Sequence, residues 1–159
     1  MAPDRHSLAA CLDHTLLRPE ATTTQILDAC GVAVAAGCAT ICVAPRHVAR
    51  AAAALDPAKP TRVCTVIGFP TGAHRPAIKA VEAGLAIKDG ATELDMVIAL
   101  GALIEGDDAI VRDDLHAVME VARQTLGITV KVILETALLP PEAIVRGCQL
   151  ACVAGADFV

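Results

Sequence analysis

Short runs of Val, Ile, Leu, Cys and Thr alternate along the whole chain with longer stretches of helical period, and no linker-like segment interrupts them. That alternation is the strongest constraint on the fold, because it is the pattern of repeated βα units. Candidate strands are "CLDHTL" (11–16), "TICVA" (40–44), "RVCTVIGF" (62–69), "TELDMVIA" (92–99), "VKVILET" (130–136) and "ADFV" (156–159). The runs are apolar on both alternating faces, as strands of a parallel sheet covered on both sides must be.

The intervening segments carry helix punctuation. Thr22 and Gln25 fit a capping box ahead of "ILDACGVAVAAG", with Leu27, Cys30 and Val34 expected on one face and Gly37 as the stop. Between 107 and 127, Val111, Leu115, Val118, Ala122 and Leu126 form an apolar stripe, with Arg112, Asp113, Glu120 and Arg123 off it. Pro140 and Pro141 can open the next helix, in which Ile144, Cys148 and Cys152 share a face.

Two architectures accept this repeat, the open doubly wound sheet and the closed (β/α)8 barrel. No G-x-G-x-x-G follows the first strand, which removes the usual support for a dinucleotide-binding sheet. A complete barrel takes about 250 residues, whereas the repeat here reaches only its sixth unit in 159. The expectation is one domain, residues 1–159, holding about six of the eight units of a TIM barrel.

Composition narrows the function. The chain has a formal charge of −5, two Phe, no Trp and no Tyr, so it lacks the basic, base-stacking surface that nucleic acid needs. Its longest apolar stretch, "MVIALGALI" at 96–104, is far short of the ~18 residues of a membrane span. The N-terminal "MAPDRHSLAACLDHTLL" is broken by Asp4, Arg5, His6 and Asp13 and has no leader pattern, so a cytoplasmic protein is expected. Seven cysteines is an odd number, and Cys30, Cys38, Cys42, Cys64, Cys148 and Cys152 lie in apolar segments as buried thiols do in a reducing compartment. Cys38 and Cys42, like Cys148 and Cys152, are four apart, but neither pair has a partner at zinc-ligand spacing. Neither a metal nor another cofactor is expected.

Charged residues inside or at the end of apolar strands are the candidates for chemistry, because barrel active sites lie at the strands' C-terminal ends. Asp13 and His14 stand in the first such run, Arg46 after the second, Asp95 in the fourth, and Lys131 with Glu135 in the fifth. Alternation sends Lys131, Ile133 and Glu135 to one face and Val132, Leu134 and Thr136 to the other. A lysine desolvated by apolar walls or crowded by another cation has its pKa lowered and can attack a carbonyl to form an imine. A neighbouring carboxylate can then carry the protons. The alternative is structural: Asp95 and Lys131, with Asp13, form an ion-pair network that closes one interior layer.

The segments "LDHTLL", "ICVAPRHV", "TVIGFPTGA", "AIKDGATELDMVIALGALIEGD" and "VKVILETALL" occur in this order. Together, from about residue 7 to the end, they resemble the deoxyribose-phosphate aldolase family. The resemblance implies a (β/α)8 barrel that reversibly cleaves the phosphosugar 2-deoxyribose 5-phosphate to glyceraldehyde 3-phosphate and acetaldehyde through a lysine imine, without a metal. Carried over by position, Asp95 matches the proton donor and acceptor, and Lys131 matches a supporting lysine of the same site that is not the imine former. Asp13 and Cys42 match pocket-lining residues, with Thr136 and the "GFPTGA" loop beside the substrate.

In the family the imine lysine directly follows the equivalent of "ADFV", and this sequence ends at Val159. The resemblance therefore implies that this lysine lies beyond the sequence in hand, which reads as the first six units of a longer protein. A barrel short of two strands exposes two edges, so such a chain alone is expected to be inactive and to be unstable or self-associating as a homo-oligomer. The competing reading is a non-catalytic barrel remnant with a structural or interaction role.

Overall fold

The computed structural model describes residues 4–159. In chain order the elements are α1 (Arg5–Ala9), β1 (Asp13–Leu16), α2 (Thr23–Ala36), β2 (Thr40–Val43), a 3-10 turn (Pro45–His47), α3 (Val48–Ala54), β3 (Arg62–Ile67), α4 (Pro76–Lys88), β4 (Glu93–Val97), α5 (Leu100–Glu105), α6 (Asp108–Arg123), β5 (Thr129–Ile133), a second 3-10 turn (Thr136–Leu138) and α7 (Pro141–Ala154).

All strand pairings are parallel and the spatial order is β1-β2-β3-β4-β5. A doubly wound sheet reverses direction at a switch point. This one never does, so it is five strands of barrel wall. The segment expected as a sixth strand, 156–159, is a single bridge between Lys131 and Phe158 rather than a ladder. There the Asp157 carboxylate accepts the Val130 N–H at 2.8 Å, the Asp157 and Phe158 N–H groups donate to the Val130 carbonyl at 2.9 and 3.3 Å, and the Val132 N–H donates to the Phe158 carbonyl at 3.0 Å.

Alternation along the strands divides the core in two. Ile41, Val43, Val63, Ile67, Leu94, Met96, Val130 and Val132 join the large cluster shared with the helices. On the opposite parity, Cys42, Cys64 and Val66 form a small interior cluster with Leu17.

Helix boundaries follow the capping chemistry. The Thr22–Gln25 capping box starts α2, Gly37 ends it in the left-handed region at φ 74°, and Pro141 opens α7. The buried face of α2, however, is Ile26, Ala29, Cys30 and Ala33, while Leu27 is exposed. Capping at Thr22 sets the phase, and Ile26 with its i+3, i+4 and i+7 neighbours takes the core side. On α6 the stripe Val111, Leu115, Val118 and Ala122 is buried, but Leu126 is 99% exposed because the helix stops at Arg123. On α7, Ala143, Gly147, Leu150 and Ala151 are buried, Ile144 and Cys148 are half-buried, and Cys152 is exposed.

Candidate active site

Register brings the interior charges together. Asp95 on β4 stands opposite Lys131 on β5 and Val66 on β3, and one layer earlier Glu93 stands opposite Cys64 and Thr129. Asp13 on β1 pairs with Thr40, whose hydroxyl donates to Asp13 Oδ1 at 2.7 Å. The Lys131 ammonium donates to Asp13 Oδ2 at 2.7 Å and lies 2.9 Å from Glu93 Oε2 and 3.0 Å from Asp95 Oδ1. Three carboxylates thus converge on one cation, with side chains 18–30% exposed.

These partners decide the state of Lys131. Burial alone would lower its pKa, but hydrogen bonds to Asp13 and Glu93 and the charge of Asp95 outweigh burial and hold it well above the ordinary lysine value. Of the two readings of these strand charges, the geometry gives the ion-pair network of Asp95 and Lys131 with Asp13, adds Glu93 to it, and leaves no free amine: Lys131 is a held cation. Asp95 Oδ1 is buried and has no aligned hydrogen bond although it lies 3.0 Å from the ammonium.

Cys64 Sγ lies 3.7 Å from the Lys131 ammonium. A hydrogen bond with Cys42, then burial, then the charges of Cys42 and Asp95 push its thiol far up, so it stays protonated. Cys42, Cys64 and Asp95 place their donor atoms within 4.8 Å of one another, as do Asp13, Cys64 and Glu93. Sequence spacing missed this grouping, since Cys42 meets Cys64 by strand register rather than by any motif. The donor set suits a metal poorly, because it already surrounds the Lys131 ammonium and its central thiol is held protonated.

Of the residues singled out by sequence, Asp95, Lys131 and Thr136 line one cavity of about 440 Å³ together with Ile133, Cys148 and Phe158. Asp13 joins through Lys131, and Cys42 is buried beside Cys64. Thr136 lines it beside Val132 and Leu134 of its own parity as well as Lys131 and Ile133 of the other; β5 ends at Ile133 and a 3-10 turn follows. Glu135 is not in the network: it caps that turn in the left-handed region, at φ 52°. His14 falls on the parity opposite Asp13 and is half-buried, and Arg46 lies exposed on the turn after β2. Glu93 was missed, although its i, i+2 spacing to Asp95 in "TELD" carried the signal.

A family model described as DeoC/LacD family aldolase matches residues 8–159. The deoxyribose-phosphate aldolase of Geobacillus sp. (strain WCH70) is 49% identical over 154 residues, covering 97% of this chain and 68% of that protein. That of Exiguobacterium sibiricum is 48% identical over 153 residues, covering 96% of this chain and 68% of that protein. Among solved structures, a protein from Coccidioides immitis assigned as a deoxyribose-phosphate aldolase superposes with a TM-score of 0.92 at 40% identity, covering 99% of this chain and 60% of that one. The tetrameric deoxyribose phosphate aldolase of Aeropyrum pernix gives 0.88 at 30% identity, covering 98% of this chain and 64% of that one. The chain thus spans about two thirds of the length of these curated relatives and slightly less of the solved structures.

Proposed function

The chain belongs to the DeoC/LacD aldolase family, and from that premise we propose that its protein is a deoxyribose-phosphate aldolase. The reaction is the reversible cleavage of 2-deoxy-D-ribose 5-phosphate to D-glyceraldehyde 3-phosphate and acetaldehyde through a lysine imine. The observation that carries the reading is the Asp95–Lys131 pair, set at the cavity wall with the Asp95 oxygen lacking an aligned hydrogen bond.

In this reading Asp95 takes and returns the proton that moves as the carbinolamine, imine and enamine interconvert. Lys131 supplies fixed positive charge beside it and is not the nucleophile, since its partners keep it protonated. Asp13 and Glu93 hold the ammonium in place, and the Thr136 hydroxyl is a donor or acceptor for a sugar hydroxyl. The carbon-carbon bond breaks by electron flow into the imine, a task that asks the protein for an amine and a proton carrier and for no metal. Residues 1–159 belong to one aldolase barrel domain and supply about six of its eight units. Seven free cysteines support a cytoplasmic setting. Among the described residues no helix is long and apolar enough to cross a membrane. The tetrameric relative supports assembly as a homo-oligomer.

The test is acetaldehyde release from 2-deoxyribose 5-phosphate by the full-length gene product and its Asp95→Asn variant. Turnover that survives a chelator and drops by roughly a hundredfold or more in the variant, with an unchanged circular-dichroism spectrum, is expected. A wild-type protein without turnover, or a variant that keeps it, contradicts the assignment.

A further inference from the structure

Outside the barrel interior the molecule holds another ion pair, more deeply buried than the Lys131 network and untouched by the mechanism above. Lys79 of α4 donates to Asp114 Oδ2 of α6 at 2.7 Å, and their side chains are 0% and 1% exposed. Burial pushes the Lys79 ammonium down and the Asp114 carboxyl up, with each partner's charge opposing the shift. Such a pair is a poor device for stability alone, because well-packed apolar residues in its place are commonly neutral or stabilising. The seam around it, with Ala83, Ala86, Val111, Leu115 and Val118, is already apolar.

An apolar replacement could not reproduce the lysine's other bond. The same ammonium donates to the Val97 carbonyl at 2.8 Å, at the C-terminal end of β4 and two residues beyond Asp95. The lysine stem also fills the space over Gly68, the first residue after β3: a Cβ there would fall 2.7 Å from Lys79 Cε. One turn along α4, the Glu82 carboxylate accepts the Gly68 N–H at 2.8 Å. The loop then returns through the Gly72 N–H to the Gly68 carbonyl at 2.8 Å and packs Gly72 onto the Ile98 carbonyl. Two segments at the C-terminal rim of the barrel, Gly68–Gly72 and Val97–Ala99, thus both meet Lys79, which links them to α4 and, through Asp114, to α6, beside the Glu82 and Gly72 contacts.

We infer that Lys79 is a positioning residue for the Asp95 site, setting the exit of β4 and the loop after β3 by its bond to the Val97 carbonyl and its packing on Gly68. Asp114 anchors the ammonium so that it can do so. This inference rests on the aldolase reading of the site. Positioning matters there because displacement of a proton-transfer group by even 1 Å can cost about a hundredfold in rate.

The test compares the full-length wild type with Lys79→Met, Lys79→Arg and the double variant Lys79→Met/Asp114→Leu, which leaves no unpaired buried charge and keeps the experiment readable if Lys79→Met alone does not fold. Steady-state cleavage of 2-deoxyribose 5-phosphate is measured beside amide hydrogen exchange. In the folded apolar variants, kcat is expected to fall by roughly tenfold or more with KM little changed. Exchange is expected to rise at 68–72 and 97–99 and stay as in wild type in β1 and β2. Lys79→Arg keeps a donor and should retain most of kcat. A folded double variant with wild-type kcat and exchange overturns the inference, and so does exchange that rises evenly across the sheet, the mark of a purely structural role. A wild type that does not turn over substrate contradicts the aldolase reading instead, and the local exchange pattern alone then decides the role of Lys79.

Discussion

A lysine ringed by three carboxylates holds its proton. Lys131 has its folded-state pKa raised, so its contribution to stability is fully present below the unfolded value of about 10.4 and is lost only as pH rises through the higher folded value. Titration with alkali should therefore leave this network intact throughout the neutral range, which 15N NMR of the Lys131 side chain can follow. Replacing Lys131 by Met leaves Asp13, Glu93 and Asp95 facing one another without a cation. The expected loss is about 3 kcal/mol at neutral pH by urea denaturation. At this scale the sequence was readable where a charge interrupts an apolar run, as Lys131 and Asp95 do. It was not readable where strand register makes the contact, as for Cys64 and Glu93, nor where two helices bring Lys79 to Asp114 across 35 residues. Nothing local marks Lys79 as buried, since a lysine on a helix usually extends its ammonium into water.

Turn and cap chemistry fixes the elements, and it makes predictions of opposite sign for the same substitution. Gly72 has φ 65°, and a Cβ there would meet the Ile98 carbonyl oxygen at 2.1 Å. Gly72→Ala should cost about 2–4 kcal/mol in thermal or urea denaturation and loosen the loop after β3. Gly31 lies inside α2 with open space around it, so Gly31→Ala should stabilise by about 0.5–1 kcal/mol. Strand centres and the Thr22, Gly37 and Pro141 boundaries were legible because each rests on a local rule. Strand ends were less so: β5 stops at Ile133 because Glu135 takes a left-handed conformation, and no composition signal announces that. The same limit misassigned Leu126, whose position fits the α6 period but follows the helix end. Leu126→Lys should therefore change stability by less than about 0.5 kcal/mol, whereas the same substitution at the fully buried Leu115 would cost several times more.

Taken whole, the molecule is a progression of parallel strands whose order never reverses, with carboxylates and one lysine on the inner face and a helical layer outside. The repeat pattern alone left the barrel and the doubly wound sheet both open, since each is built from the same units. Their difference lies in strand order, which only tertiary packing or family likeness reveals. At the edge of β5 the Asp157 carboxylate accepts the Val130 N–H and is itself held by Arg123 at 3.3 Å. The decisive measurement is borohydride trapping of the full-length gene product with acetaldehyde, followed by peptide mapping. Lys59, Lys79, Lys88 and Lys131 are the lysines of this sequence, and none matches the imine position that the family resemblance implies. An adduct on a lysine outside residues 1–159, with Lys131 unmodified, is the expected result. An adduct on Lys131 would contradict its assignment as a held cation, and no adduct anywhere would contradict the imine mechanism itself.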